Sequence, residues 1–253
     1  MVAAIGLALL VAPATAAMPT GTSLVVFIDF SASIQGAERT GYRRELEREI
    51  LPSLVPGDRI VIAPIHDRTL TSFRPLTEAT LPVTLPFNGW VDNVLKYKRQ
   101  VKATEEEVAR AREQLSADVK DVFGRPYASP YTDIFSSLSI AQQLFDGDSR
   151  RKVLILMSDM MEDYPPYKFD AMSWKPGTTK KLLDDMQLKR QIPNLAGVCV
   201  YVSGASAPRP QLAQDIAGFW AEFFRRARAD FEPSRYSHVL LHWPPARGCR
   251  PAA

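Results

Sequence analysis

Five short apolar runs constrain the fold of this 253-residue chain more than any other feature. The runs are rich in Val, Ile and Leu, and most of them do not alternate with polar residues, which is typical of strands covered on both faces. They occupy residues 24–28, 60–65, 153–157, 198–202 and 239–241. We therefore expect a buried, mostly parallel β-sheet.

Segments with helical periodicity lie between several of these runs. Residues 41–54, 133–145 and 212–231 carry apolar side chains at helical spacing. The third segment has an aromatic stripe, which we interpret as core packing and not as a cofactor site: Phe219, Trp220, Phe223 and Phe224. Strands that alternate with helices predict a three-layer, doubly wound α/β fold with helices on both faces of the sheet.

Residues 69–124 do not fit a compact strand–helix unit. A proline-punctuated part is followed by a charged helix that we predict to begin near Thr104, because Thr104 and Glu107 have the spacing of a capping box. We interpret the whole stretch as a strand or loop plus a helical insertion. The insertion either covers the edge of the sheet or acts as a lid or partner-docking element.

The two ends of the chain are expected to lie outside the main domain, which we place at residues 22–245. Residues 1–17 resemble a secretory signal, with a short apolar run followed by small residues, although no Lys or Arg precedes the run. The alternative is a buried N-terminal strand or helix. The run is too short to span a membrane, which takes about 20 apolar residues. We expect a periplasmic or secreted protein with a C-terminal tail at 246–253.

Charge and cysteine usage narrow the functional classes. A net charge of +3, with basic and acidic residues interspersed, does not favour nucleic-acid binding. The two cysteines, Cys199 and Cys249, have no CxxC neighbour, so zinc binding and redox catalysis are not indicated. In an exported chain the two either form a disulfide or remain a buried and an exposed thiol.

The strongest functional signal follows the first strand. An apolar run leads directly into Asp29, Ser31 and Ser33, which stand at alternate positions. In open parallel sheets, ligand sites form outside the carboxyl ends of strands, near the point where the strand order reverses. Oxygen ligands without His or Cys select a hard cation such as Mg²⁺.

Two further segments support a cation site. A second buried strand ends at Asp159, and Thr132 presents a hydroxyl in a loop that leads into a helix. Asp133 is expected to cap that helix. Glu162 and Asp163 follow Asp159 closely, and we interpret them as a solvated acidic loop and not as residues that support the ligands.

The DxSxS run, a distant loop Thr and a later strand-end Asp together resemble the metal-ion-dependent adhesion site of von Willebrand factor A domains. The resemblance implies that Ser31 and Ser33 coordinate Mg²⁺ or Mn²⁺ directly, and that Thr132 does so directly or through water. It implies that Asp29 and Asp159 supply charge, partly through bridging waters. One coordination position is then left open for an acidic group of a partner protein.

Three functions follow as alternatives. The first is a non-enzymatic, metal-dependent binding domain. The second is a metal-dependent hydrolase or phosphatase, which needs a general base near the ion, with His66 or Glu162 as candidates. The third is a structural accessory in which the ion stabilises the top of the sheet while the helical insertion forms the interface. The sequence does not indicate the oligomeric state.

Overall fold

The computed structural model describes residues 21–34, 36–67, 69–84, 86–89, 93–126 and 129–245. The predicted signal segment 1–17, the tail 246–253 and Cys249 lie outside the described residues. The strands are β1 (Thr22–Asp29), β2 (Arg59–Ile65), β3 (Thr77–Thr80), β4 (Arg151–Met157), β5 (Asp163–Tyr164), β6 (Tyr167–Lys168), β7 (Val198–Ser203) and β8 (Asp230–Ser237). The helices are α1 (Gly36–Glu45), which continues through a π-helical turn (Leu46–Ile50) into α2 (Leu51–Ser53), then α3 (Val94–Gly124), α4 (Ile134–Phe145), α5 (Thr178–Leu188) and α6 (Pro210–Arg226).

A mixed sheet forms the centre of the described part of the chain, with strand order β3-β2-β1-β4-β7-β8. All neighbouring strands are parallel except β2 and β3, which pair antiparallel at one edge. From β1 the sheet extends outward through β2 and β3 on one side. From β4 it extends through β7 and β8 on the other side. This order is that of a doubly wound α/β sheet with helices between its strands, so the predicted fold class is confirmed.

The two faces of the sheet are covered by different helices. Val25 and Phe27 of β1 point into one core, together with α4, α5 and α6. Leu24, Val26 and Ile28 point into the other core, with α1, α2 and α3. Because both faces of β1 are buried, its sequence shows a continuous apolar run instead of alternation.

The aromatic stripe of α6 belongs to the first of these cores, as predicted. Phe219, Trp220, Phe223 and Phe224 are all fully buried. Phe135 of α4 lies among them, with its ring centroid 5.3 Å from that of Trp220. The stripe therefore packs α6 against α4 and the sheet, and this core packing accounts for its aromatic residues.

The last strand was predicted in the wrong place. Residues 239–241 are not a strand, and the Leu240 N–H donates to a side-chain oxygen of Glu45 at 2.9 Å. The edge strand is β8, whose sequence is polar, half-exposed and interrupted by Pro233. Proline is tolerated at a sheet edge because the missing N–H faces away from the ladder. Hydrophobicity therefore could not indicate this strand.

Helix boundaries also differ from the predictions. α3 begins at Val94 and is capped by Asn93, whose side chain accepts from the N–H groups of Leu95 and Lys96 at 2.9 and 3.2 Å. Thr104 lies inside the helix, so the predicted capping box is wrong. α1 begins before residue 41 and α6 ends before residue 231, while α5 was not predicted. No helix of the described residues is long and apolar enough to cross a membrane.

Candidate metal site at the carboxyl edge of the sheet

The candidate site lies where β1 and β4 end side by side. These two strands are parallel neighbours, with Ile28 opposite Met157. The strand order reverses between them, because β2 continues from β1 on one side and β7 from β4 on the other. The carboxyl ends of strands at such a reversal form a crevice in which doubly wound proteins bind ligands.

Asp29 lies at the bottom of this crevice and is fully buried. One of its carboxylate oxygens accepts from the Ser31 N–H at 2.8 Å, and the other accepts from the Ser158 hydroxyl at 2.8 Å. Burial raises the pKa of Asp29 above its ordinary value, and the hydrogen bonds from Ser31 and Ser158 oppose that rise. The sequence did not lead us to Ser158, although its position before Asp159 at the end of β4 was a usable signal.

The loop after β1 brings two hydroxyls together. The Oγ atoms of Ser31 and Ser33 are 2.9 Å apart. Backbone hydrogen bonds join this loop to the segment before α4, because the Ala32 N–H donates to the Ser129 carbonyl at 3.1 Å and the Ser129 N–H donates to the Phe30 carbonyl at 3.3 Å. This pairing carries the loop that contains Thr132 toward the end of β1.

Asp159 is the second carboxylate of the site. It is 8% exposed, and one of its oxygens accepts from the Met161 N–H at 2.9 Å. Burial, together with the negative charge of Asp29, raises its pKa to about 7, and hydrogen bonds from Met161, Ser33 and Ser158 oppose the rise. The two carboxylates therefore repel one another in a poorly solvated place, where a bound cation would relieve the repulsion.

An unusual backbone conformation follows Asp159. Met160 is fully buried and has a φ of 66°, in the left-handed region that non-glycine residues rarely adopt. Its carbonyl accepts from the Trp220 indole N–H at 2.9 Å. The aromatic core of α6 thus holds the turn that orients Asp159, and strained residues of this kind concentrate at functional sites.

Thr132 and Asp133 lie at the start of α4, as predicted. Thr132 is 2% exposed, and its carbonyl accepts from the Asp163 N–H at 3.1 Å. Asp133 caps the helix by accepting from the Ser136 N–H at 3.0 Å, and burial raises its pKa. The prediction that Asp133 caps α4 is confirmed.

Glu162 was predicted to lie in a solvated loop, and this is wrong. The side chain is 1% exposed, and one carboxyl oxygen accepts from the N–H groups of Ile134 and Phe135 at 2.8 and 3.3 Å. Burial, together with the charge of Asp133, raises its pKa well above the ordinary value. Glu162 therefore occupies the N-terminus of α4 and supports the loop that holds Thr132, because a helix end leaves N–H groups without intrahelical partners.

A cavity of about 430 Å³ opens above these residues. Four of the five predicted ligands line it, namely Ser31, Ser33, Thr132 and Asp159, whereas Asp29 lies behind them. The remaining lining residues are Ala32, Pro130, Met161, Glu162, Asp163, Asp170, Ser206, Ala207 and Pro208. His66 lines a different cavity, beside Arg74 and Asp118.

The donor set fits a hard divalent cation. It offers carboxylate and hydroxyl oxygens and no nitrogen or sulfur, which favours Mg²⁺ or Mn²⁺ over zinc or copper. In the described part of the chain, no group of three or more His, Cys, Asp or Glu side chains is placed to hold a metal. A cation at this edge would accordingly depend on the hydroxyls of Ser31, Ser33 and Thr132 as well as on the two aspartates.

No protein-family model matches the chain, and no curated protein matches it. Several solved structures are similar to it at low identity, and they include the following three. Proximal thread matrix protein 1 from the mussel byssus has a TM-score of 0.41 at 13% identity, over 79% of this chain and 42% of that one. The manganese-loaded TRAP protein of Plasmodium vivax has a TM-score of 0.38 at 14% identity, over 78% and 63%.

The third structure is the pilus adhesin SpaC from Lactobacillus rhamnosus GG in its open conformation, with a TM-score of 0.44 at 11% identity, over 86% of this chain and 28% of that one. The chain thus spans less than two thirds of the length of each of the three. Strand order and pairing, and not these likenesses, establish the fold of the chain.

Proposed function

We propose that this chain is an exported, non-enzymatic domain that binds a partner protein through a divalent cation. Ser31, Ser33 and Thr132 would hold Mg²⁺ or Mn²⁺ through their hydroxyls, and Asp29 and Asp159 would balance its charge. When bound, the cation supplies a positive centre with one position open for an oxygen of the partner. The juxtaposition of Asp29 and Asp159 with these hydroxyls at the strand-order reversal is the observation that supports the proposal.

The cavity itself favours metal dependence. Four of the residues that line it are acidic: Asp159, Glu162, Asp163 and Asp170. An acidic ligand would be repelled by this lining when no cation is present. Hydroxyl ligands carry no formal charge, so a cation held by them keeps its attraction for a carboxylate. We therefore expect the partner's acidic group to bind only to the metal-loaded protein, and a chelator to release it.

Isothermal titration of Mg²⁺ and Mn²⁺ tests the metal site. We expect saturable one-site binding to the wild type, and at least a tenfold loss of affinity in Ser31→Ala/Ser33→Ala, because two coordinating oxygens are removed. The matched control is Ser72→Ala/Ser173→Ala, which removes two exposed hydroxyls that do not line the cavity. Thermal unfolding checks that both variants fold like the wild type.

Equal affinity in the wild type and Ser31→Ala/Ser33→Ala would show that these hydroxyls are not ligands. A parallel titration of Thr132→Ala addresses the loop before α4 separately. If only the serine pair matters, the cation is held by the β1 loop alone, and the predicted contribution of the α4 loop is wrong.

A further inference from the structure

Helix α3 extends well beyond the core that it covers. Its buried residues begin at Val108 and continue with Leu115, Val119 and Val122. The hydroxyl of Thr77 in β3 donates to Asp118 at 2.7 Å, which also anchors the C-terminal half. None of residues 94–107 is buried. At 1.5 Å per residue, this leaves about 20 Å of helix that is not packed into the core.

The free end of this helix exposes apolar side chains. Val94 is 55% exposed, Leu95 is 68% exposed and the neighbouring Phe87 is 42% exposed. Phe87 contacts Tyr97, with ring centroids 5.1 Å apart. We call residues 93–103 together with Phe87 the α3 tip. Folding does not require apolar groups at this place, because none of them enters either core of the sheet.

The α3 tip is also strongly basic. It contains Lys96, Lys98, Arg99 and Lys102 and no Asp or Glu. Among the described residues, Lys102 has only a long contact of 4.0 Å to Glu106, and the other three form no ion pair. Lys96 lies in the first turn of α3, where a positive charge opposes the helix macrodipole. The cations of the tip therefore have little part in stabilising α3, and they suit a negatively charged surface outside the protein.

We propose that the α3 tip docks on an anionic phospholipid surface. Val94, Leu95 and Phe87 enter the interfacial region, and the lysines and Arg99 contact lipid phosphates. Lys102 lies about 10 Å beyond Leu95 along the helix axis, so apolar side chains at the end of α3 are followed closely by positive charges. The four cations are spread over about half the circumference of the helix, which suits a continuous layer of phosphates better than a single acidic groove of a protein.

This surface is separate from the candidate metal site. No residue of α3 lines the cavity above Asp159. Membrane docking and metal-dependent binding are therefore independent, and the failure of one leaves the other standing. Together, the α3 tip would dock the protein on a membrane while the candidate metal site engages a partner.

Vesicle co-sedimentation of the full chain tests the proposal. The vesicles contain phosphatidylcholine with about one third phosphatidylglycerol, against phosphatidylcholine alone, because each Lys or Arg near an anionic surface contributes about 1 kcal/mol. We expect binding only to the anionic vesicles, and a loss of about 100-fold in partition coefficient for Lys96→Gln/Lys98→Gln/Arg99→Gln. The matched control is Lys175→Gln/Lys180→Gln/Lys181→Gln, which removes three exposed lysines near the start of α5 on the opposite side of the sheet.

A second variant tests the apolar part of the tip. Val94→Ser/Leu95→Ser keeps every charge and should lose roughly tenfold in partition coefficient. No binding of the wild type to anionic vesicles would overturn the proposal and leave an acidic protein as the ligand of the tip. An equal loss of partition coefficient in the α5 control variant would also overturn the proposal. Binding would then depend on the net charge of the protein and not on the α3 tip.

Discussion

Asp159→Asn should stabilise the metal-free protein at alkaline pH, because it removes a negative charge that is buried beside Asp29. The substituted side chain keeps the shape of aspartate and an oxygen that accepts from the Met161 N–H. The wild-type pKa of about 7 lies above the ordinary value of 3.8, so the unfolded chain ionises more readily than the folded one. The free energy of unfolding of the wild type therefore falls as the pH rises from about 3.8 to about 7. At higher pH it stays low.

The size of this effect follows from the shift in pKa. A rise from 3.8 to about 7 in a side chain that is 8% exposed corresponds to on the order of 4 kcal/mol, at about 1.4 kcal/mol per unit. Asparagine does not titrate, so this part of the pH dependence disappears in the variant. We expect the two proteins to be similarly stable near pH 4, and the variant to be more stable by on the order of 4 kcal/mol above about pH 8.

Urea unfolding followed by circular dichroism, with chelator present, measures the difference at several pH values. Asp170→Asn is the control, because Asp170 lines the same cavity but is exposed and remains hydrated. Saturating Mg²⁺ should stabilise the wild type and have little effect on Asp159→Asn. Parallel pH profiles in wild type and Asp159→Asn, or a variant less stable than the wild type at alkaline pH, would refute the argument that Asp159 is held as an unfavourable buried charge.

Two further predictions concern stability and are checked by thermal or urea unfolding. Gly204→Ala should destabilise by about 3 kcal/mol or more, since Gly204 has a φ of 100° and a Cβ there would collide with the hydroxyl end of Tyr42. Gly147→Ala, with a φ of 70° and open space around it, should cost only about 1–2 kcal/mol, and equal losses would contradict the collision. Trp220→Ala should destabilise by about 3–5 kcal/mol and also weaken Mg²⁺ binding, through the loss of the bond to the Met160 carbonyl. Unchanged metal affinity in a folded Trp220→Ala protein would show that this bond does not orient Asp159.

The buried strands were predictable because a strand covered on both faces requires apolar residues at successive positions. β1, β2, β4 and β7 are covered on both faces, so each reads as an unbroken apolar run. The same reasoning failed for β8, a half-exposed edge strand with no such run. α5 was missed because Leu183 and Met186 are its only buried residues, and its apolar pattern is correspondingly weak.

The candidate ligands were predictable from their position after these strands. Parallel strands end at one edge of the sheet, so Asp29 and Asp159 were expected at the same edge, and the structure then places β1 and β4 side by side. Thr132 followed from its place at the start of an amphipathic helix. Local sequence and one rule of topology were sufficient to expect these residues near one another, whereas their role as metal ligands stays a prediction that rests on the resemblance to a metal-ion-dependent adhesion site.

The environment of those ligands was decided only by the tertiary structure. The sequence does not reveal that Glu162 is buried against the N-terminus of α4, because its partners Ile134 and Phe135 are distant in the chain. Nor does it reveal that Met160 is held in a left-handed conformation by Trp220. The sequence by itself determined which residues end each buried strand, because burial selects apolar side chains position by position. Burial, pKa and hydrogen bonding at the site arise from contacts between distant segments, and only the folded chain brings those together.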